Sequence, residues 1–428
     1  TLVTGVQTCA LPICGFEWIG EIPVNWEVDK LKFHLKRNEP RNPGDTVVLS
    51  LYRELGVIPK DSRDDNHNVT SEDTSKYKYV QPGDFVINKM KAWQGSVAVS
   101  EYEGIVSPAY FIYKFTDDAF YRRYFHYLLR SCYKDEFMRL SGGIRVGQWD
   151  LPSVALDNTA VIIPPMKEQK SIAAFLDVKC AEIDALTAYI QTQIDTLEQY
   201  KRSVITEAVT KGLNPDAEMK DSGIEWIGEI PATWNIIRGK YLLKYLQKPV
   251  KEDDGVITCF RDGEVTLRSN RREDGFTMSD KEIGYQGIDV GDLVVHGMDG
   301  FAGAIGISDS RGKASPVLNV MDTKQNKRYI MYYLRSMAYS DVFVALATGI
   351  RVRSCDLRWN KLADLPYPVP NIEEQTVIVE YIDATLEKTD AVITEKKSQI
   401  ETLDEYKKSL IYEYVRSEEH TSELQSRV

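Results

Sequence analysis

The chain has 428 residues, 43% hydrophobic and 27% charged, a composition that fits a globular protein too long for one small domain. No apolar run approaches the roughly 20 residues of a membrane-crossing helix and no charged-then-apolar leader is present, so the expected compartment is the cytoplasm. The net charge of −11 would exclude a nucleic-acid partner only if it were evenly spread. It is not: stretches 166–209 and 372–415 hold five basic against seven acidic residues and five against eleven. The rest is near neutral, which leaves room for local basic patches.

Residues 3–13 and 416–426 resemble translations of a sequencing-library adapter read from opposite strands, so 1–13 and 416–428 are set apart from the fold. The chain between them is two copies of one plan. Glu17-Trp18-Ile19-Gly20-Glu21-Ile22-Pro23 recurs 208 residues later as Glu225-Trp226-Ile227-Gly228-Glu229-Ile230-Pro231, and Trp26 or Trp234 follows each. Gly83-Asp84 matches Gly291-Asp292, Ser107-Pro108 matches Ser315-Pro316, and Gly143-Ile144-Arg145-Val146 returns as Gly349-Ile350-Arg351-Val352. Six cysteines, at 9, 14, 132, 180, 259 and 355, contain no Cys-x-x-Cys pair and have no histidine cluster nearby; they read as free thiols rather than a metal site.

Within each copy the spacing predicts strands at Asp84–Asn88, Ser96–Ser100, Tyr110–Phe115 and Asp292–His296, bounded by Gly and Pro turns. Helical spacing over Phe120–Leu140 and Tyr329–Leu346 predicts supporting helices. The Gly-Asp dipeptides read as tight turns before buried strands. The copies differ most over Leu49–Asn68, with Tyr52, Arg53, Lys60, Arg63 and His67, and over Cys259–Phe276, with Phe260 and five basic or amide residues. Both read as exposed loops whose arginine, lysine and asparagine suit phosphate and base-edge contacts, the plain alternative being solvated charge.

Each copy ends in a long helix. Leu176, Cys180, Ile183, Thr187, Ile190, Ile194, Leu197, Lys201, Val204 and Ala208 step by four and three, a coiled-coil seam. Ile382, Leu386, Thr389, Ile393, Lys396, Ile400, Leu403, Lys407, Leu410 and Tyr414 repeat it 206 residues on. Because the polar seam positions mostly do not coincide, the two helices are expected to pack on each other; only Lys201 and Lys407 are polar in both. About 44 residues at ~1.5 Å each span on the order of 65 Å. Asn371 is placed to cap the second helix, with Glu374 reaching back to its amide, and Pro366, Pro368 and Pro370 keep the preceding chain extended.

Chemistry is hard to find. There is no phosphate-cradling Gly-x-x-x-x-Gly-Lys-Ser/Thr loop, no Gly-x-Ser-x-Gly elbow and no His-Glu-x-x-His helix. Ile162-Ile163-Pro164-Pro165-Met166 lacks the amide or carboxylate and the aromatic of an adenine methyltransferase motif, and reads as a strand ending before a helix. No catalytic or metal-binding residue is assigned.

The paired Trp-Ile-Gly-Glu-Ile-Pro and Gly-Ile-Arg-Val segments resemble those of the specificity subunit of type I restriction-modification systems. So do the Pro-x-x-x-Glu-Gln helix openings (Pro164 to Gln169, Pro370 to Gln375) and the helix ends Tyr200-Lys201 and Tyr406-Lys407. The resemblance covers nearly all of Gly15 to Val415. It implies an α+β fold: two tandem mixed α/β target-recognition domains, 14–165 and 211–371, each followed by a long helix, 166–210 and 372–415, the helices forming an antiparallel coiled coil. It implies a non-catalytic subunit that reads a bipartite double-stranded DNA target and docks two modification (methyltransferase) subunits. Restriction subunits would join them, and S-adenosylmethionine, ATP and magnesium would be bound by those partners. Candidate DNA contacts are Arg53, Lys60, Arg63, Lys89, Lys91 and Arg145 in the first copy and Arg261, Arg268, Asn270, Arg271, Arg272 and Arg351 in the second. About 40 to 65 Å of coil would set the domains roughly 12 to 19 base pairs apart at 3.4 Å per step. The other readings are a coiled-coil scaffold that joins protein partners and a self-sufficient restriction enzyme, the latter disfavoured by the missing methyltransferase motif.

Overall fold

Gly83 and Gly291 take left-handed backbone angles, φ +91° and +85°, that a side chain would resist. Each turns the chain into a buried strand, Phe85–Asn88 or Leu293–His296. The following aspartates close the turns: Asp84 Oδ2 accepts from the Gln81 amide at 2.9 Å and Asp292 Oδ2 from the Asp289 amide at 2.8 Å. The dipeptides are structural, as their sequence suggests.

This computed structural model describes residues 22–23, 25–44, 46–53, 55–62, 70, 73–143, 149–271, 283–346 and 357–416. The chain forms two compact units, Thr1–Tyr189 with Gln399–Val428, and Ile190–Ser398. Outside the described residues lie the adapter-like stretches apart from Arg416, the first Glu17–Glu21, Cys9, Cys14 and Cys355, and the Gly-Ile-Arg-Val segments apart from Gly143. Cys132, Cys180 and Cys259 form no disulfide. No helix among the described residues is long and apolar enough to cross a membrane.

In the first unit a four-stranded antiparallel sheet runs in the order Leu35–Arg37, Tyr110–Phe115, Phe85–Asn88, Val97–Val99. One face packs against Arg122–Ser131 and Lys134–Leu140, burying Phe85, Phe125, Leu128 and Phe137. The other face carries a hairpin, Leu49–Tyr52 with Gly56–Pro59, that buries Leu49, Leu51 and Val57 against Val86 and Ile112. Glu27–Lys30 pairs antiparallel with Ala160–Ile163, bringing the start and end of the domain together.

The second unit repeats this plan. Its sheet order is Leu243–Tyr245, Leu318–Thr323, Leu293–His296, Ile305–Ile307; the hairpin is Ile257–Cys259 with Val265–Leu267, and Asn235–Arg238 pairs with Pro366–Val369. The sheet is backed by Lys327–Tyr339. An ionic group fastens the approach to this sheet. Arg311 donates to Asp254 at 2.8 and 3.0 Å and to Asp289 at 2.5 Å, and Lys248 donates to Asp289 at 2.7 Å and Asp292 at 2.6 Å.

The long helices are Met166–Lys211 and Ile372–Arg416, and they pack antiparallel. In the first unit Lys407 donates to Asp184 at 2.6 and 2.8 Å and Phe175 stacks on Tyr414 at 4.3 Å. In the second, Lys201 donates to Asp390 at 2.5 Å and Lys396 to Gln193 at 2.5 Å. Seam residues Leu176, Cys180, Ile183, Ile190, Ile194, Val204, Ile382, Ile393 and Leu410 are buried; Leu197, Leu386, Ile400 and Leu403 are half-buried. The lysine kept in both seams thus meets an aspartate of the opposite helix in each case. Asn371 caps as expected, accepting from the Glu374 amide at 2.9 Å. The Glu374 carboxylate, however, accepts from the Trp234 indole at 2.9 Å instead of reaching back to the cap.

Two outcomes follow. Ile194→Asp places a carboxylate in a sealed seam and costs several kcal/mol; Ile400→Asp, half-exposed, costs less, and the pair together uncouples the helices, measured by denaturant unfolding. Lys248 and Arg311 hold the Asp289 carboxyl down at about 2. A depressed carboxyl contributes stability present above its unfolded value, near 4, and lost as pH falls towards 2. Asp289→Asn therefore removes this contribution, and the unfolding midpoints of variant and parent converge as pH drops from about 4 to 2.

Candidate nucleic-acid interface

The stretch Leu49–Asn68 was expected to be a loop. Where described, it is a hairpin followed by a 3-10 turn, Lys60–Ser62, because Leu49, Leu51 and Val57 alternate towards the core. Arg53 stands exposed at the hairpin tip. Its guanidinium donates to Gln94 Oε1, and its carbonyl accepts from Arg130. Gln94 ends the turn Ala92–Gln94 that follows the central strand, and the Trp93 indole donates to the Met90 carbonyl at 3.1 Å within that turn.

A third segment is fastened to the same turn. Gly142 and Asp150 exchange backbone hydrogen bonds of 3.1 and 2.9 Å, and the Leu151 amide donates to the Lys89 carbonyl at 3.0 Å. Lys89 Nζ donates to Asp150 Oδ2 at 2.7 Å, and Trp93 meets Trp149 edge-on at 5.5 Å. Arg53, Lys89 and the exposed Lys91 are thus gathered around one turn, beside the Gly142–Asp150 bridge that flanks the stretch carrying Arg145. Lys60, whose ammonium donates to Thr70, lies at the open end of the hairpin. Arg63 and Arg145 are outside the described residues.

The second domain uses the same parts with different chemistry. Arg261 donates to Asp299 Oδ1 at 2.9 Å, and Asp299 opens the turn Gly300–Ala302 after its central strand. The Leu357 amide donates to the Gly297 carbonyl at 2.8 Å, and Asn319 Nδ2 donates to the Leu357 carbonyl at 2.8 Å, fixing the exit of the stretch that carries Arg351. Cys259–Phe276, also expected as a loop, begins as the hairpin and the 3-10 turn Arg268–Asn270. Arg268 Nε lies 3.4 Å from Thr258 Oγ1, and Asn270 Nδ2 donates to Thr266 Oγ1 at 2.8 Å. Arg271 is held by Asp262 at 2.7 Å and Glu264 at 3.3 Å, 4.2 Å above the Phe260 ring. Arg272 and Arg351 are outside the described residues.

Arg53 and Arg261 are equivalent. They stand 208 residues apart, each after an aromatic and before an acid, Tyr52-Arg53-Glu54 and Phe260-Arg261-Asp262, and each grips the turn after the central strand. This triplet was a legible repeat that motif-by-motif reading passed over. The Pro-x-x-x-Glu-Gln openings also have a role the sequence did not reveal. Gln169 is sealed from solvent, donating to the Pro164 and Ala119 carbonyls at 2.8 Å and accepting from the Tyr121 amide at 2.8 Å. Gln375 donates to the Pro370 carbonyl at 2.9 Å and to the side-chain oxygen of Gln325 at 2.7 Å, and accepts from the Asn326 amide at 3.0 Å. No group of three or more His, Cys, Asp or Glu is placed to hold a metal among the described residues.

Because the Gly142–Asp150 bridge rests on the Lys89–Asp150 pair, Lys89→Ala speeds amide hydrogen exchange at Gly142 and Asp150. It shifts overall stability by no more than about 1 kcal/mol, as expected of a half-exposed pair.

Residues 23–199 match the model of the type I restriction modification DNA specificity domain. The specificity subunit of the type I restriction enzyme MjaVIII of Methanocaldococcus jannaschii is 23% identical over 413 residues, 91% of this chain and 92% of its own. Another protein of that organism, provisionally named the specificity subunit of the type I restriction enzyme MjaX, is 27% identical over 236 residues. That match covers 51% of this chain and spans about half, 53%, of the relative. A solved structure from work on complex assembly and conformational transition of the type I R-M system covers 93% of this chain and 100% of its own at TM-score 0.65 and 13% identity, a likeness of fold.

Proposed function

We propose that this chain is a type I restriction-modification DNA specificity subunit, as its match to that domain model over 23–199 and its likeness to the MjaVIII subunit support, and that it reads a bipartite DNA target, one half-site with each globular domain. The observation that carries this reading is the repeated assembly of hairpin, turn and fastened segment. Both copies build it on one frame and secure it with an equivalent arginine, Arg53 or Arg261, while most of the side chains around that arginine differ. A common frame with altered tips is what two half-sites of different sequence require, since phosphate contacts position a protein and base contacts specify.

In this reading the paired helices dock two modification subunits, and restriction subunits complete the assembly. S-adenosylmethionine, ATP and magnesium serve those partners, and the complex works in the cytoplasm. This chain contributes recognition and no catalytic group.

Methylation of oligonucleotides substituted one base at a time tests the reading. Arg268→Ala or Arg271→Ala relaxes one half-site and leaves the other strict, a base-gripping guanidinium supplying about 1 to 3 kcal/mol of discrimination. A phosphate contact would instead weaken all sequences alike. Full specificity of both variants in both halves removes these arginines from the readout, and a parent complex with no bipartite preference refutes the function.

A further inference from the structure

We infer that the tip of the second domain's hairpin reads one G·C base pair, Arg271 taking the guanine and Glu264 the cytosine amino group. This rests on the DNA-reading role proposed above and adds to it the base pair and the residues that specify it.

Geometry supplies the first argument. Arg271 lies over Phe260 at 4.2 Å, with Asp262 Oδ2 2.7 Å from Nη2 and Glu264 Oε2 3.3 Å from Nη1. The side chains of Arg271, Asp262 and Glu264 remain 35%, 54% and 47% exposed, so the group is oriented yet reachable. The tip is also seated firmly. Gly263 has φ +93°, and a Cβ there would lie 2.6 Å from Arg335 Nη1; a Cβ at Gly306 would lie 1.9 Å from the Gly263 carbonyl. Arg335 also donates to the Asp262 carbonyl at 2.8 Å. A guanidinium stacked and braced in this way loses little freedom on binding.

Charge supplies the second. A phosphate-binding surface presents uncompensated cations, whereas here Arg261 is paired with Asp299 and Arg271 with two carboxylates. Carboxylates repel the DNA backbone but suit a base edge. In the major groove guanine offers two acceptors to an arginine, and cytosine offers an amino donor to an aspartate or glutamate. Guanidinium and carboxylate side by side therefore match the two halves of one G·C pair.

The internal repeat identifies Glu264 as the member peculiar to this half. Leu51 pairs with Val57 as Cys259 pairs with Val265, so the two hairpins are in the same register. In sequence, at the offset of 208 residues, Tyr52, Glu54 and Arg63 correspond to Phe260, Asp262 and Arg271, but Gly56 corresponds to Glu264. What both copies keep serves a task common to both halves, and Asp262 is the partner that orients the arginine. The added carboxylate is what the second half has alone.

The test is methylation by the full chain assembled with its modification subunits, on oligonucleotides carrying every base at each half-site position. The parent requires G·C at one position of one half. Glu264→Gln and Arg271→Ala relax that same base pair, on the order of ten- to a hundredfold in discrimination, while the other half and the salt dependence stay unchanged. Glu264→Gly, which installs the residue the first copy carries there, gives the same relaxation and serves if the glutamine variant melts early. The inference is overturned if Glu264 variants keep the parent's discrimination or relax a different base pair from Arg271→Ala. It is equally overturned by uniform weakening on all sequences with a shallower salt slope, the mark of a phosphate contact. A selective parent with silent Glu264 variants sinks this inference alone, whereas a parent with no sequence preference sinks the DNA-reading role beneath it.

Discussion

One buried glutamine at the start of each long helix decides how a domain and its helix are joined. The Gln169 and Gln375 carboxamides each donate twice and accept once with no exposure to solvent. Each ties the first turn of the long helix to the residue that caps the start of the domain's own helix, Tyr121 or Asn326. Removing either would leave a buried proline carbonyl, Pro164 or Pro370, without its donor, at about 1 to 3 kcal/mol, and would break two part-buried hydrogen bonds besides. Two turns further along, Asp177 accepts from Arg123 and Tyr127, both at 2.6 Å, and Asp383 accepts from Arg328 and Tyr332, both at 2.5 Å. The short helix is thus laid along the long one.

The far end of each long helix is held by the other domain's helix. Tyr124 donates to the Val415 carbonyl at 2.9 Å, and Tyr329 to the Val209 carbonyl at 3.1 Å. These carbonyls lie in the last turns, where the helix offers them no N–H donors of its own. The first domain therefore grips the start of the first long helix and the end of the second, and the second domain grips the complementary ends. With the Lys407–Asp184 and Lys201–Asp390 pairs between the helices, the same set of contacts is made twice from one repeated sequence.

Such a frame is indifferent to what the hairpin tips carry. The tips hang on the sheet through inward residues such as Leu49, Leu51, Val57, Ile257, Cys259 and Val265, while the outward positions are free to change without disturbing the core. That separation suits a protein whose two domains must be held alike and read differently. It also fits the proposed DNA-reading role to a chain of net charge −11: most of the acidic excess lies on the long helices, while Arg53, Lys89 and Lys91 lie around one turn of the first domain.

The repeated plan, the two long helices with their seam, the Gly-Asp turns and the main strands were determined by the sequence itself. Each is a local period or punctuation, and duplication states each twice. The partners of particular side chains were decided only by the tertiary structure. Glu374 has a capping-box position, yet its carboxylate is taken by Trp234, 140 residues away. The arginine-rich stretches looked like loops because short alternations such as Leu49 and Leu51 are weak signals until the sheet beneath them is in place. Arg53 with Gln94, Arg261 with Asp299, and Arg271 between Asp262 and Glu264 depend on chain crossings that no local pattern encodes. Basic character can be read along the chain, but which basic groups share a surface, and which are already held by a carboxylate, is set by packing.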